Sequence, residues 1–91
     1  MKYDIQFTNQ FKKDLKLMIR RSADTNLLDS VVTDLANGKK LDEKHRDHSL
    51  TGNYSGFREC HIKPDWLLIY RIDSDKLFLL VFRTGTHSDL F

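Results

Sequence analysis

An α+β fold, in which a small and mainly antiparallel sheet carries a helical hairpin on one face, follows from three features of this 91-residue chain. Two stretches with apolar residues at helical spacing lie either side of a short polar turn. Three strand-like stretches then follow in close succession. One further alternating stretch precedes the first helix. The links between the late strands, Lys63-Pro64-Asp65 and Asp73-Ser74-Asp75, are too short for a parallel crossover, which needs a dozen residues or more. The expected order is β-α-α-β-β-β, and a chain of this length allows one domain spanning residues 1–91.

In residues 2–7, Tyr3, Ile5 and Phe7 alternate with Asp4 and Gln6, which marks a half-buried strand. Thr8 or Asn9 offers a capping oxygen for the first helix, where Phe11, Leu15, Met18 and Ile19 recur on one side. Lys12, Lys13, Lys16 and Arg20 occupy mainly the remaining face. A second helix is expected to start near Asp24 or Thr25 and to bury Leu27, Leu28, Val31, Val32, Leu35 and Ala36. Gly38 suits its end, because glycine takes the left-handed conformation that closes helices. Residues 39–52 read as a polar loop. Strands are then expected at Tyr54–Ile62, Trp66–Ile72 and Lys76–Thr84. The pattern covers only one face of the sheet, so the other face is the place for a site, with the tail from Gly85 to Phe91 able to fold back over it.

Composition narrows the function classes. With 40% hydrophobic and 31% charged residues the chain is an ordinary globular one, and a net charge of +2 excludes a strongly cationic nucleic-acid arm while leaving room for a local basic face. Cys60 is the single cysteine, so no intrachain disulfide forms. Residues 1–6 lack the apolar core of a signal peptide, and the longest apolar run, Leu77–Phe82, is far below the roughly 20 residues of a membrane span. A cytoplasmic protein is expected.

Four histidines, His45, His48, His61 and His87, are the main chemical signal. Three of the four sit at strand ends or in loops that an antiparallel sheet can bring together, and imidazole is the usual proton carrier near neutral pH. Zinc is not expected: no paired-cysteine or His-Glu-x-x-His motif is present, and Cys60 and His61 alternate on opposite strand faces. Asp65 reads either as turn chemistry after Pro64 or as a carboxylate serving a histidine. Trp66 reads either as core or as a stacking platform for a base, and Phe91 as a second aromatic at a terminus. Arg83 reads as half of an ion pair or as a phosphate ligand. No phosphate-binding glycine loop and no nucleophile elbow occur.

The segments DHSLTGNYSGFRECHIKPDWLLIYRI and FRTGTHSDLF, which with the interval between them cover residues 47–91, resemble the YafQ branch of the RelE-like toxins of bacterial type II toxin–antitoxin modules. The combination of DHxLxG, HxxPDWxLIY and a terminal RTGTHxxLF carries the resemblance. It implies a RelE-like fold and a ribosome-dependent endoribonuclease that cuts translated messenger RNA without a metal or other cofactor. His48, His61, Asp65, His87 and Phe91 match the branch's functional positions, with Trp66 beside them and Arg83 at the strand-end arginine of the wider superfamily. The implied roles are His87 as general acid, Asp65 or His48 as base, His61 and Arg83 on the scissile phosphate, and Phe91 and Trp66 on the bases. Lys12, Lys13 and Lys16 are candidates for contacts to ribosomal RNA or to an antitoxin, against the plainer reading of a solvated helix face. The resemblance also implies a cognate antitoxin of the DinJ type, with a ribbon-helix-helix dimer giving a two-plus-two complex. A gyrase-binding toxin of the same fold and a plain RNA-binding module are the competing readings. The histidine set argues against the first, since a protein-binding toxin has no need of it.

Overall fold

A computed structural model describes residues 1–91. Strand β1 (Asp4–Phe7) is followed by helices α1 (Asn9–Arg20) and α2 (Thr25–Ala36), then by β2 (His48–Ser49), β3 (Arg58–Lys63), β4 (Trp66–Asp73), β5 (Phe78–Gly85) and the short α3 (His87–Leu90). The five strands lie in the order β1-β5-β4-β3-β2. All neighbours are antiparallel except β1 and β5, whose parallel pairing runs from Asp4↔Phe78 to Phe7↔Val81. The helical hairpin supplies the crossover that this one parallel pair requires.

Local chemistry sets the helix ends as the sequence implied. Thr8 caps α1 by accepting from the Phe11 amide at 2.9 Å, while its hydroxyl donates to the Phe82 carbonyl at 2.7 Å and so ties the cap to β5. Asp24 caps α2 by accepting from Asn26 N–H. Gly38 lies just past the helix with φ +75°, and its amide donates to the Leu35 carbonyl. The apolar faces of both helices close over one face of the sheet, burying Phe11, Leu28 and Leu35 against Cys60, Tyr70 and Leu79. No helix is long and apolar enough to cross a membrane.

Three features differ from the expectation. The strand expected from Tyr54 starts at Arg58, because residues 52–54 form a 3₁₀ turn instead. The loop of residues 39–52 contains β2, a two-residue strand that pairs His48 with Glu59 and Ser49 with Arg58. The second face of the sheet is also less bare than expected. Leu67, Ile69 and Leu90 form a small cluster there, flanked by Leu50, Tyr54, Phe57 and Phe82. The tail does fold back, as α3.

Two bulges interrupt the ladder and change which face the following side chains take. One lies between His61 and Lys63. The other lies at Phe82, between the pairs Tyr70↔Val81 and Ile69↔Arg83. The extra residue at Phe82 shifts the phase of β5, so that Arg83 shares the face of Ile69 and Thr84 turns inward to the helix side.

Candidate active site

β3 is the foundation of the site. Cys60 and Ile62 face the helices, so Glu59 and His61 project from the opposite face, and the pairing His48↔Glu59 brings His48 beside them. The ring centroids of His48 and His61 are 6.5 Å apart, and those of His61 and His87 are 5.8 Å apart. The three imidazoles form a row with His61 in the middle.

Each ring is held through the same nitrogen. His48 Nδ1 lies 2.7 Å from the Arg46 carbonyl, His61 Nδ1 lies 3.1 Å from the Pro64 carbonyl, and His87 Nδ1 lies 2.8 Å from Asp65 Oδ1. Carbonyl and carboxylate oxygens only accept, so Nδ1 carries the hydrogen in all three. Nε2 is thereby left available on every ring. His45, which the sequence left without a role, places its Nδ1 2.7 Å from the His61 carbonyl and so braces β3 from behind.

His87 reaches the row because α3 begins there. Thr86 caps α3 in a reciprocal box with Asp89, whose carboxylate also takes a two-point bond from Arg21 at 2.7 and 3.2 Å. Asp65, in the turn between β3 and β4, accepts from both the backbone N–H and the ring Nδ1–H of His87. These bonds, the side-chain one foremost, hold the Asp65 carboxyl below the usual carboxylate range. Asp65 is therefore an anion that orients His87, and a poor proton acceptor.

Glu59 is the functional candidate that sequence reasoning missed. It is 5% exposed, and its Oε1 lies 3.5 Å from His61 Nε2 and 3.9 Å from His48 Nε2. The signal was present in the alternation of Glu59, Cys60 and His61, which puts acid and imidazole on one face. Ligand atoms of Glu59, His61 and His87 lie within 4.8 Å of one another, so these three residues are also able to hold a metal ion. Cys60 takes no part, since it is buried on the helix side, where burial pushes its thiol up and keeps it protonated.

The remaining candidates divide. Phe91 is 62% exposed and meets the Tyr54 ring edge to face at 5.4 Å. Tyr54 also donates to the Leu90 carbonyl, so an aromatic surface runs from Phe57 and Phe82 through Tyr54 to the terminus. Trp66 is not a stacking platform. It is 3% exposed in the helix-side core, and its indole donates to Thr84 Oγ1 at 2.9 Å. Arg83 is engaged away from the histidines. β1 ends opposite Val81, and beyond that point Arg83 donates two 3.0 Å bonds to Asp14 of α1. Lys12, Lys13 and Lys16 are exposed on α1 and make no ion pair or hydrogen bond with the histidine row.

A family model described as bacterial toxin of type II toxin–antitoxin system, YafQ, matches residues 3–91. The mRNA interferase toxin YafQ of Escherichia coli strain K12 is 44% identical over 89 residues, which is 97% of this chain and 95% of that one. A metal-bound toxin from Helicobacter pylori superposes with a TM-score of 0.92 at 43% identity, over 98% of this chain and 99% of that one. A chain of the E. coli DinJ–YafQ complex superposes with a TM-score of 0.89 at 40% identity, over 98% of each chain.

Proposed function

The chain belongs to the YafQ family of type II toxin–antitoxin toxins, and from that premise we propose that it is an mRNA interferase whose histidine row cuts RNA by acid–base catalysis. One observation carries the reading of the site: three imidazoles in a row, each anchored through Nδ1 and so keeping Nε2 free for proton transfer.

The 2′-hydroxyl of RNA is the nucleophile, which makes the reaction specific to RNA over DNA. His48 Nε2 takes its proton as the 2′-oxygen bonds to phosphorus. The bond from phosphorus to the 5′-oxygen breaks, and His87 Nε2 delivers a proton to that leaving oxygen. The products are a 2′,3′-cyclic phosphate and a 5′-hydroxyl. In-line displacement puts the entering and leaving oxygens on opposite sides of phosphorus, so base and acid belong at the two ends of the row. His61 lies between them beside the phosphate, with the Glu59 carboxyl 3.5 Å from its Nε2. Asp65 fixes the tautomer of His87 and pairs with it when charged. All proton transfers are accounted for by these side chains, and no step requires a metal.

Phe91, with Tyr54 behind it, provides the surface on which a base stacks. Arg83 contributes from the edge of this aromatic surface as a cation whose charge is shared with Asp14. Trp66 acts only through the core. The basic face of Lys12, Lys13 and Lys16 meets ribosomal RNA or the antitoxin. A net charge of +2 gives little general affinity for RNA, which fits an enzyme that acts on message held in the ribosome. Its partner is an antitoxin of the DinJ type, as in the E. coli complex, and we infer a ribbon-helix-helix antitoxin dimer with one toxin on each arm.

Purified toxin incubated with programmed ribosomes and with naked RNA, followed by sequencing of the cut ends, tests this reading. Cuts within the reading frame, bearing 5′-hydroxyl ends and confined to ribosome-held message, are expected. Ribosome binding without new ends would favour a non-catalytic RNA-binding module.

A further inference from the structure

Resting on the assignment of His48 as base, we propose that Arg58 is a positioning residue for His48, gripping the residues on either side of it from the opposite face of the sheet. β2 has two residues and lies at the sheet edge, so its backbone ladder fixes little. Arg46, which enters it, is held in the left-handed conformation with φ +47°. Something beyond the ladder must hold a 50% exposed imidazole on so short a strand.

Arg58 does so with three bonds. Its Nε and Nη2 donate to Asp47 Oδ2 at 3.2 and 2.9 Å, and its Nη1 donates to Ser49 Oγ at 2.8 Å. The buried Tyr70 hydroxyl donates to the other Asp47 oxygen, which roots the clamp in the core. Arg58 is paired with both Ser49 and Tyr70 in the sheet, so all of these groups lie on the helix side, with Cys60 and Ile62. His48, Glu59 and His61 project from the other side. The guanidinium is thus separated by the sheet from a phosphate held at the histidine row, and it influences the reaction through the backbone of residues 46–49.

That backbone decides the chemistry of the ring. The carbonyl that accepts His48 Nδ1–H belongs to the Arg46–Asp47 peptide. Moving Asp47 moves that carbonyl, and with it the bond that leaves Nε2 free to accept a proton. Stability alone is a weak explanation of the cluster, because the Arg58 and Asp47 side chains are 40% and 26% exposed and ion pairs in contact with solvent contribute little.

The test compares full-length wild type, Arg58→Met, Arg58→Lys, His48→Ala and the Arg58→Met/His48→Ala double variant on programmed ribosomes, together with nitrogen-resolved NMR of the imidazoles. Arg58→Met is expected to lower kcat roughly tenfold to a hundredfold with KM little changed, and Arg58→Lys to fall between. The His48 signals should lose the fixed Nδ1–H tautomer, while those of His61 and His87 keep it. In the His48→Ala background, Arg58→Met should cost nothing further. Tyr70→Phe, which removes one bond to Asp47 and preserves the packing, should move the same signals in the same direction and keeps the test open if Arg58→Met fails to fold. An additive loss in the double variant, or an unchanged His48 tautomer in Arg58→Met, overturns the clamp while leaving His48 as base. A full rate in His48→Ala alone overturns the base assignment, and the clamp's catalytic meaning with it.

Discussion

Asp65 illustrates how one carboxylate can be read two ways until its partner is located. After Pro64 it is ordinary turn chemistry, and the structure adds that its oxygen takes two bonds from His87. Replacing it by asparagine keeps the size but offers an amide that can donate to Nδ1 and favour the wrong tautomer. Asp65→Asn is expected to lower single-turnover cleavage by roughly 10²-fold, with unchanged ribosome binding by sedimentation. The Asp65 carboxyl is held low, so its anion is present above the ordinary carboxylate range and is lost only as pH falls through that lowered value. The pH–rate profile of Asp65→Asn should therefore differ from wild type in height, with no acid limb removed between about pH 5 and 8. Residue type pointed to the four histidines, and the resemblance to the YafQ branch singled out His48, His61 and His87. The sequence did not lead to Glu59, although the alternation along β3 puts it on the face of His61, because an acidic residue in a strand shows its burial only in the fold. Nor could it decide Trp66, since an aromatic at a strand start is compatible with core or surface until Thr84 is seen to accept its N–H.

α3 is the element on which His87 depends, and four residues are too few to be helical by themselves. Leu90 buries its side chain, Thr86 and Asp89 cap each other, and Arg21 reaches from the end of α1 to Asp89. Arg21, then the Thr86 backbone N–H, holds the Asp89 carboxyl well below the usual range. Arg21→Met is expected to speed amide exchange in residues 87–91 and to lower cleavage about tenfold, with little change in Tm because the pair is solvent-exposed. β4 provides the contrast. Trp66→Phe keeps most of the packing and loses one buried bond, so it should lower stability by about 1–2 kcal/mol in urea unfolding while cleavage per folded molecule stays near wild type. The helices and the three long strands were legible because their apolar periodicity extends over many residues. β2 and the bulge at Phe82 were not, because neither leaves a periodic trace. That bulge decides that Arg83 leaves the helix face and meets Asp14 around the sheet edge.

For the whole molecule, the ion pairs that join distant segments also set its response to acid. Asp14 joins α1 to β5, and Asp89 joins α3 to α1. Burial of Asp14 works against its ionisation, but the bonds from Arg83, Gln10 and the Thr84 amide together outweigh it, and its carboxyl lies below the usual range. Asp14, nearly buried and lowered in this way, stabilises the fold above the unfolded carboxylate value of about 3.9, and that contribution disappears as pH drops through the folded value, whereas the solvent-exposed Asp89 pair adds little. Tm should fall below about pH 4, and Asp14→Asn should be less stable at neutral pH with a shallower acid decline, as read by thermal melts across pH. The same small frame serves both stability and the site. One face of the sheet is given to the core, and the other carries the histidine row.

The central claim is that the row itself performs the proton transfers, and Glu59, His61 and His87 make it directly testable because they are able to bind a metal. Cleavage of message on programmed ribosomes should be timed in single turnover with toxin stripped of metal and held in a zinc-specific chelator, then again after stepwise addition of Zn²⁺. The account predicts the full rate under chelation and progressive inhibition as the ion occupies His61 and His87. A toxin that is inactive under chelation and regains its rate with added metal would contradict it.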